Sequence, residues 1–340
     1  MNAGAASEGS AAPTGSGALA STLEPALRDA TGGRLGPVQW FSTMRQRGGA
    51  ATGTAEWSLP SGVALPVVVK LPLGPVEYTW TSGLGTVAPD ELLDSAESLD
   101  RCVPRVLASG ANLGEYDLGW VVLERLAGDP LPGELSKQDL LDLIDTLADF
   151  QAAAAAHKPP AHRPPSKDFS EMLHRSREAL PGLSIPEAQR WNEALKHAQR
   201  IISDACRSWS LREVNSWCHG DVHPGNALRR SSGGGSRLVL LDLALVHAGH
   251  WIEDAVYLER QFWGRKAALQ GVKPVAALKR ARAARGLPCG EGYQELADIR
   301  RLLMACCVPA VYTTEGSAVY AHAALELLER LTHMIAKRSA

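Results

Sequence analysis

The sequence predicts an α+β fold in two lobes, the N-terminal one β-rich and the C-terminal one mainly helical. Three observations carry this expectation. The chain has 340 residues, long for a single hydrophobic core. Short β-rich runs around glycine-rich turns fill its first third. After "DPLPGE" the pattern changes to long amphipathic helices, interrupted once by a strand pair. The expected boundaries are a disordered small-residue tail over 1–17, an N-terminal lobe over 18–125 and a C-terminal lobe over 126–340.

The elements follow in order. Ser21 and Glu24 have the spacing of a capping box, with Leu23 and Leu27 on one helical face and Gly32-Gly33 as the stop. "VQWFSTM" and "TAEWSL" read as a hairpin around "RQRGGAATG". "ALPVVVKL" is a strand with Lys70 at its end, and "PVEYTWTSGL" places Glu77, Trp80 and Leu84 at helical spacing. "RVLASG" and "WVVLERLAG" supply two more strands. Ser136 caps a long amphipathic helix, and the clustered prolines of "KPPAHRPP" form a loop. Helical patterns span about 168–180 and 186–209. "CHGDVHPGN", the turn "RRSSGGGSR" and the strand "LVLLDLALV" follow, and from Trp251 onward the pattern is mainly helical.

Composition narrows the function classes. The net charge of −2 lacks the basic excess of a nucleic-acid binder. The first residues lack the basic and apolar regions of a signal peptide, and no run reaches eighteen apolar residues, so no membrane span is expected. Six scattered cysteines without CxxC spacing read as free thiols in a reducing, cytoplasmic setting.

The polar cluster at 218–226 carries the chemistry. His219, Asp221 and His223 have the alternation of metal-hydrolase ligands. Pro224-Gly225 turns the chain at once, however, and the later Gly-Asn-His-Asp/Glu stretch of metallophosphoesterases is missing. Phosphoryl transfer fits better, because it needs a carboxylate at the acceptor hydroxyl, hard oxygen ligands for Mg²⁺ and a cation on the phosphates. Asp221, Asn226 and Asp242 supply the oxygens and Lys70 the cation. An aspartate inside the apolar "LVLLDLALV" strand is costly to bury without a partner, and a metal or cation would be that partner.

"HGDVHPGN" followed by a strand aspartate resembles the aminoglycoside phosphotransferase and choline kinase-like family, whose loop reads H-G-D-x-x-x-x-N. The likeness runs over about residues 35–260: "VVVK" resembles the nucleotide-lobe lysine strand, "VVLERLAG" the hinge, and Asp254 in "GHWIEDAVYLER" the aspartate of the D-x-A helix start. It implies a bilobal protein kinase-like fold and ATP-dependent transfer to a hydroxyl of a sugar, amino alcohol or aminoglycoside-like antibiotic. By the same resemblance Asp221 orients or deprotonates the acceptor, and Asn226 and Asp242 hold Mg²⁺. Lys70 meets the phosphates with Glu77 as its ion-pair partner, Glu91 and Glu97 being rivals for that place. Gly48 and Gly49 cover the phosphates, backbone groups from Glu124 to Leu126 meet the adenine, and His219 braces the loop with Asp254 in support. GTP is a second possible donor, and a monomer or homodimer is expected.

Plainer roles are expected elsewhere. Trp251 and Trp263 read as core, His223 as a loop residue and "KRARAARG" as a solvated helix face. Glu253, Glu259, Glu291, Glu295 and Asp298 are possible contacts for an acceptor amine, although 13 basic against 6 acidic residues from Arg260 to Ala340 argue against a polycation. The alternative from another class is a catalytically inactive kinase-like nucleotide- or partner-binding protein. The full set Asp221, Asn226 and Asp242 speaks against it. A protein acceptor is disfavoured by the absence of an A-P-E segment after Asp242.

Overall fold

A computed structural model describes residues 15–41, 50–87, 101–128, 130–131, 134–160, 168–232 and 235–339. The chain divides into two compact units, Met1–Ala127 and Gly128–Ala340. The fold is α+β, with one five-stranded sheet and a predominance of helix.

The first unit opens with α1 (Gly15–Ala30) and continues with β1 (Gln39–Phe41), β2 (Ala51–Ser58), β3 (Ala64–Leu73), α2 (Pro75–Gly85), β4 (Val106–Gly110) and β5 (Gly119–Glu124). Its sheet has the order β1-β2-β3-β5-β4, and every named pair is antiparallel. The expected hairpin is β1 paired with β2, Trp40 facing Gly53. In β3, Val67, Val69 and Leu71 point into a core shared with Leu23 and Leu27 of α1 and with Trp57, Trp120 and Val122. Period-two alternation therefore puts Lys70 on the other face.

Two expectations change here. The first helix begins at Gly15, inside the expected tail, and not at Ser21. Glu24 closes no capping box, because its carboxylate accepts from the Val38 N–H at 3.0 Å and from Trp40 Nε1 at 3.1 Å, tying α1 to β1. Lys70 also does not end its strand, since β3 runs on to Leu73.

The second unit contains α3 (Lys137–His157), α4 (Phe169–Ala179), α5 (Ala188–Ala198), α6 (Ile202–Ser210), β6 (Ser216–Cys218), β7 (Ala227–Ser232), β8 (Gly235–Leu240), β9 (His247–Gly249), α7 (Ile252–Arg260), α8 (Pro274–Ala284), α9 (Tyr293–Cys306), α10 (Val308–Glu315) and α11 (Ala318–Ser339). Ser136 caps α3 as expected, in a capping box completed by Asp139. The single helix expected over 186–209 is two, α5 and α6. Trp191, Leu195, Ala198, Ile202, Ala205 and Trp209 are buried at unbroken helical spacing, so the apolar pattern conceals the break.

"KRARAARG" is not a solvated face. Arg282 is 1% exposed and follows Val275 and Leu278 on the buried stripe of α8, while Arg285 pairs with Asp149. Trp251 and Trp263 are buried, as expected. No helix among the described residues is long and apolar enough to cross a membrane.

Candidate active site

Two short antiparallel ribbons frame the polar loop in the second unit. In one, β6 pairs with β9, Cys218 facing His247. In the other, β7 and β8 form a hairpin with Ala227 facing Leu240 at its base. Two segments join the ribbons, His219–Asn226 and Leu241–Val246, and they are tied together. The Leu241 N–H donates to the Asn226 carbonyl at 2.8 Å, and His219 Nε2 lies 3.0 Å from the Leu241 carbonyl.

His219 is fully buried. Burial pushes its pKa down against the pull of Asp254 and the Leu241 carbonyl, so the ring is neutral. The Asp221 N–H donates to its Nδ1 at 3.3 Å, which leaves the proton on Nε2 for Leu241. His219 thus braces both segments and touches no open face.

Asp254 holds the same loop from below. It has no exposure, and its Oδ2 accepts from the His219 N–H at 2.9 Å and from Gln151 Nε2 at 3.0 Å. Its Oδ1 accepts from the Gly220 N–H at 2.9 Å. Gly220 sits at φ +84, where a Cβ would lie 2.3 Å from the Leu245 carbonyl oxygen, so glycine is required.

Asp221, half-buried, is held at both oxygens. Asn226 Nδ2 donates to Oδ2 at 3.1 Å and to the Asp221 carbonyl at 3.0 Å, while the Tyr257 hydroxyl donates to Oδ1 at 2.5 Å. His223 Nε2 stands 3.7 Å from Oδ2. Because Nδ2 is committed to Asp221, the amide oxygen of Asn226 is left for another partner.

Asp242 departs from its expected setting. The strand β8 ends at Leu240, and Asp242 follows it, exposed, in left-handed backbone at φ +60. The apolar run continues as a 3-10 turn, Leu243–Leu245, not as strand. No burial penalty acts on Asp242, and among the described residues its carboxylate has no hydrogen-bond or ion-pair partner. Such a placement suits a cation from outside the chain.

In the first unit, Lys70 forms an ion pair with Glu77 of α2. The rivals Glu91 and Glu97, like Gly48 and Gly49, lie outside the described residues. Glu124 is engaged with Arg105, just before β4: its carboxylate accepts from the Arg105 N–H at 2.7 Å and from Arg105 Nε at 3.0 Å, and its own N–H donates to the Arg105 carbonyl. The Arg125 N–H donates to the Pro66 carbonyl. In this stretch the Leu126 backbone has no such partner among the described residues.

Three of the five carboxylates considered as amine contacts are used internally. Glu253 pairs with Arg212, and Glu259 and Asp298 both pair with Arg301. Glu291 and Glu295 remain exposed.

Sequence reasoning overlooked three residues of this network. Tyr257 reaches Asp221. Gln151, 1% exposed on α3, joins Asp254 to Arg282, whose Nη1 donates to Gln151 Oε1 at 2.6 Å and to Ser216 Oγ at 3.1 Å. For Arg282 a signal existed, its register on the apolar stripe of α8. Gln151 carried the same signal, following Leu140, Ile144 and Leu147 at helical spacing on the buried stripe of α3, whereas Tyr257 is only half-buried on α7.

The family described as the phosphotransferase enzyme family matches residues 90–298. Similar solved structures include a spectinomycin phosphotransferase in complex with ADP and spectinomycin, at TM-score 0.55 and 12% identity, covering 92% of this chain and 98% of that one. An aminoglycoside phosphotransferase from Alicyclobacillus acidocaldarius matches at TM-score 0.50 and 16% identity, over 88% of this chain and 92% of that one. A microcompartment-associated aminopropanol kinase matches at TM-score 0.50 and 14% identity, over 89% and 91%. At these identities the likeness shows the kinase-like fold. No curated protein is matched by sequence.

Proposed function

Because the chain belongs to the phosphotransferase enzyme family, we propose that it transfers the γ-phosphoryl group of ATP to a hydroxyl of a small molecule, with Mg²⁺ on the nucleotide. The observation that carries the reading is Asp221, a half-buried carboxylate fixed at both oxygens within a loop anchored by His219 and Asp254. A carboxylate held in this way has a fixed orientation, and its Oδ1 already accepts a hydroxyl hydrogen bond, the role an acceptor hydroxyl would take. Asp221 is assigned to orient that hydroxyl and take its proton, a contribution of about 10²–10⁴-fold in rate.

The donors near it fit Mg²⁺, which prefers a few hard oxygens and fills its remaining positions with phosphate and water. Asn226 offers its amide oxygen, and Asp242 an exposed carboxylate without a partner among the described residues. Bound there, the ion would neutralise phosphate charge. Lys70, oriented by Glu77, is assigned to the nucleotide phosphates, and the Leu126 backbone to the base. The acceptor is a sugar, an amino alcohol or a related hydroxyl compound. The internal pairing of Glu253, Glu259 and Asp298 favours one with few positive charges over a polycation.

Thermal unfolding with Mg²⁺-ATP, Mg²⁺-GTP and each nucleotide without metal tests the reading. Nucleotide at about 100 times its Kd should stabilise the fold by about 2.7 kcal/mol. Asp242→Ala should remove the metal-dependent part of the shift. Asp221→Asn should keep the shift and abolish transfer in a screen of hydroxylated metabolites. No shift with either nucleotide, or undiminished transfer by Asp221→Asn, would overturn the assignment.

A further inference from the structure

We infer that Tyr257 holds the place of the acceptor hydroxyl on Asp221, and so restrains the carboxylate from activating water while no acceptor is bound. This rests on the phosphotransferase reading above. Tyr257 lies on α7 one turn beyond Asp254, and residues three apart share a helix face. The helix that anchors the His219–Gly220 backbone therefore also delivers a phenol to Asp221 Oδ1, at 2.5 Å. That length is at the short end of the range for an O–H donor on a carboxylate oxygen.

The two oxygens of Asp221 are treated differently. Oδ2 receives an amide N–H from Asn226, with His223 Nε2 at 3.7 Å. Oδ1 receives a hydroxyl, the same group an alcohol acceptor would present, in the same hydrogen-bonding role. The phenol is a poor competitor for the phosphoryl group, because its oxygen is carried on a rigid ring fixed to α7.

An acceptor that displaces the phenol exchanges one O–H···O⁻ bond for another. The cost of moving Tyr257 then falls on the acceptor's remaining contacts, which is how binding energy is converted into specificity. Water makes no remaining contacts and cannot meet that cost.

The reaction restrained is hydrolysis. The water oxygen bonds to the γ-phosphorus, and the bond from that phosphorus to the bridging oxygen breaks. Its electron pair stays on the departing ADP. The proton of water passes to the Asp221 carboxylate and then to solvent, giving ADP, inorganic phosphate and a proton.

The test uses the full chain with Mg²⁺-ATP and no added acceptor, measuring phosphate release. Tyr257→Phe keeps the ring and removes only the hydroxyl. It should release phosphate about tenfold faster than the parent, on the scale of one lost hydrogen bond to a charged group. The double variant Tyr257→Phe, Asp221→Asn should lose that gain, because the extra hydrolysis runs through Asp221. A gain of activity is a readout that structural damage does not produce. Tyr257→Leu provides a second variant with the same expected direction. Phosphate release that is unchanged or lower in the tyrosine variants, with the Mg²⁺-ATP thermal shift intact, overturns the inference and leaves the proposed function standing. A gain that survives Asp221→Asn also overturns it. A parent protein with no Mg²⁺-ATP shift overturns both.

Discussion

Asp254 shows how few atoms set the loop. Its two oxygens, on a side chain with no exposure, accept from two successive backbone N–H groups and from Gln151. Asp254→Asn would turn an NH₂ group toward one set of these donors. The expected loss is about 2–4 kcal/mol of stability together with lowered transfer, checked by denaturant unfolding beside the activity assay. Gly220→Ala should be at least as damaging. It places a Cβ 2.3 Å from the Leu245 carbonyl oxygen at φ +84, and the cost is to be read as a fall in melting temperature. In the first unit, Glu77→Gln removes the partner of Lys70, and a weaker Mg²⁺-ATP thermal shift with an unaltered apo melting temperature is expected. Asp221 and Asn226 were legible at this scale because their spacing is local, and the structure brings them into contact. The residues that hold them were not. Tyr257 meets Asp221 across 36 positions, Gln151 meets Asp254 across 103, and Arg282 meets Gln151 across 131. The registers of Gln151 and Arg282 on their buried helix stripes mark both as inward-facing, but contacts of such separation leave no local period that names the partner.

Elements were legible where a local rule decides them. The capping box of α3 combines a Ser136 side chain on the Asp139 N–H with the Asp139 carboxylate on the Ser136 N–H, and both residues stand in the sequence at the required spacing. Ser136→Ala should cost about 1 kcal/mol, measurable by denaturant unfolding. The same carboxylate of Asp139 also pairs with Arg229 of β7, so the cap fastens the helix to the hairpin. A rule of the same kind failed at α1. Ser21 and Glu24 satisfy the box pattern, yet Glu24 is drawn to Val38 and Trp40, and the small residues before Ser21 continue the helix toward its N-terminus. Likewise "LVLLDLALV" is apolar throughout, but the strand stops at Leu240 because Asp242 adopts left-handed backbone. Hydropathy marks the residues that prefer burial. It does not mark where a chain must turn to present a carboxylate.

At the scale of the whole molecule, the two compact units differ in what holds them. The first is a sheet packed on two apolar clusters. The second buries charges among its helices, and these make its stability pH-dependent. His250 is pushed down to about 4, chiefly by burial. Glu253 would be raised by burial, but the hydrogen bond from His247 and the charges of Arg300 and Arg212 hold it at about 2. The signs agree. The unfolded chain takes up the His250 proton first, so stability falls as pH drops from about 6.5 toward 4. Glu253 favours the fold above its unfolded value, and that contribution is lost between about 4.5 and 2. A melting-temperature series should therefore decline in two stages. Glu253→Gln should flatten the lower stage while reducing stability at neutral pH, because Arg212 loses its partner. The β7–β8 hairpin has a consequence of another kind. Asn226 and Leu241 adjoin its base, while Ser232 and Gly235 pair at its far end, roughly 20 Å away along six residues of strand. An epitope tag or fluorophore spliced in at that end would report on the protein or tether it to a surface without disturbing the two segments that join the ribbons.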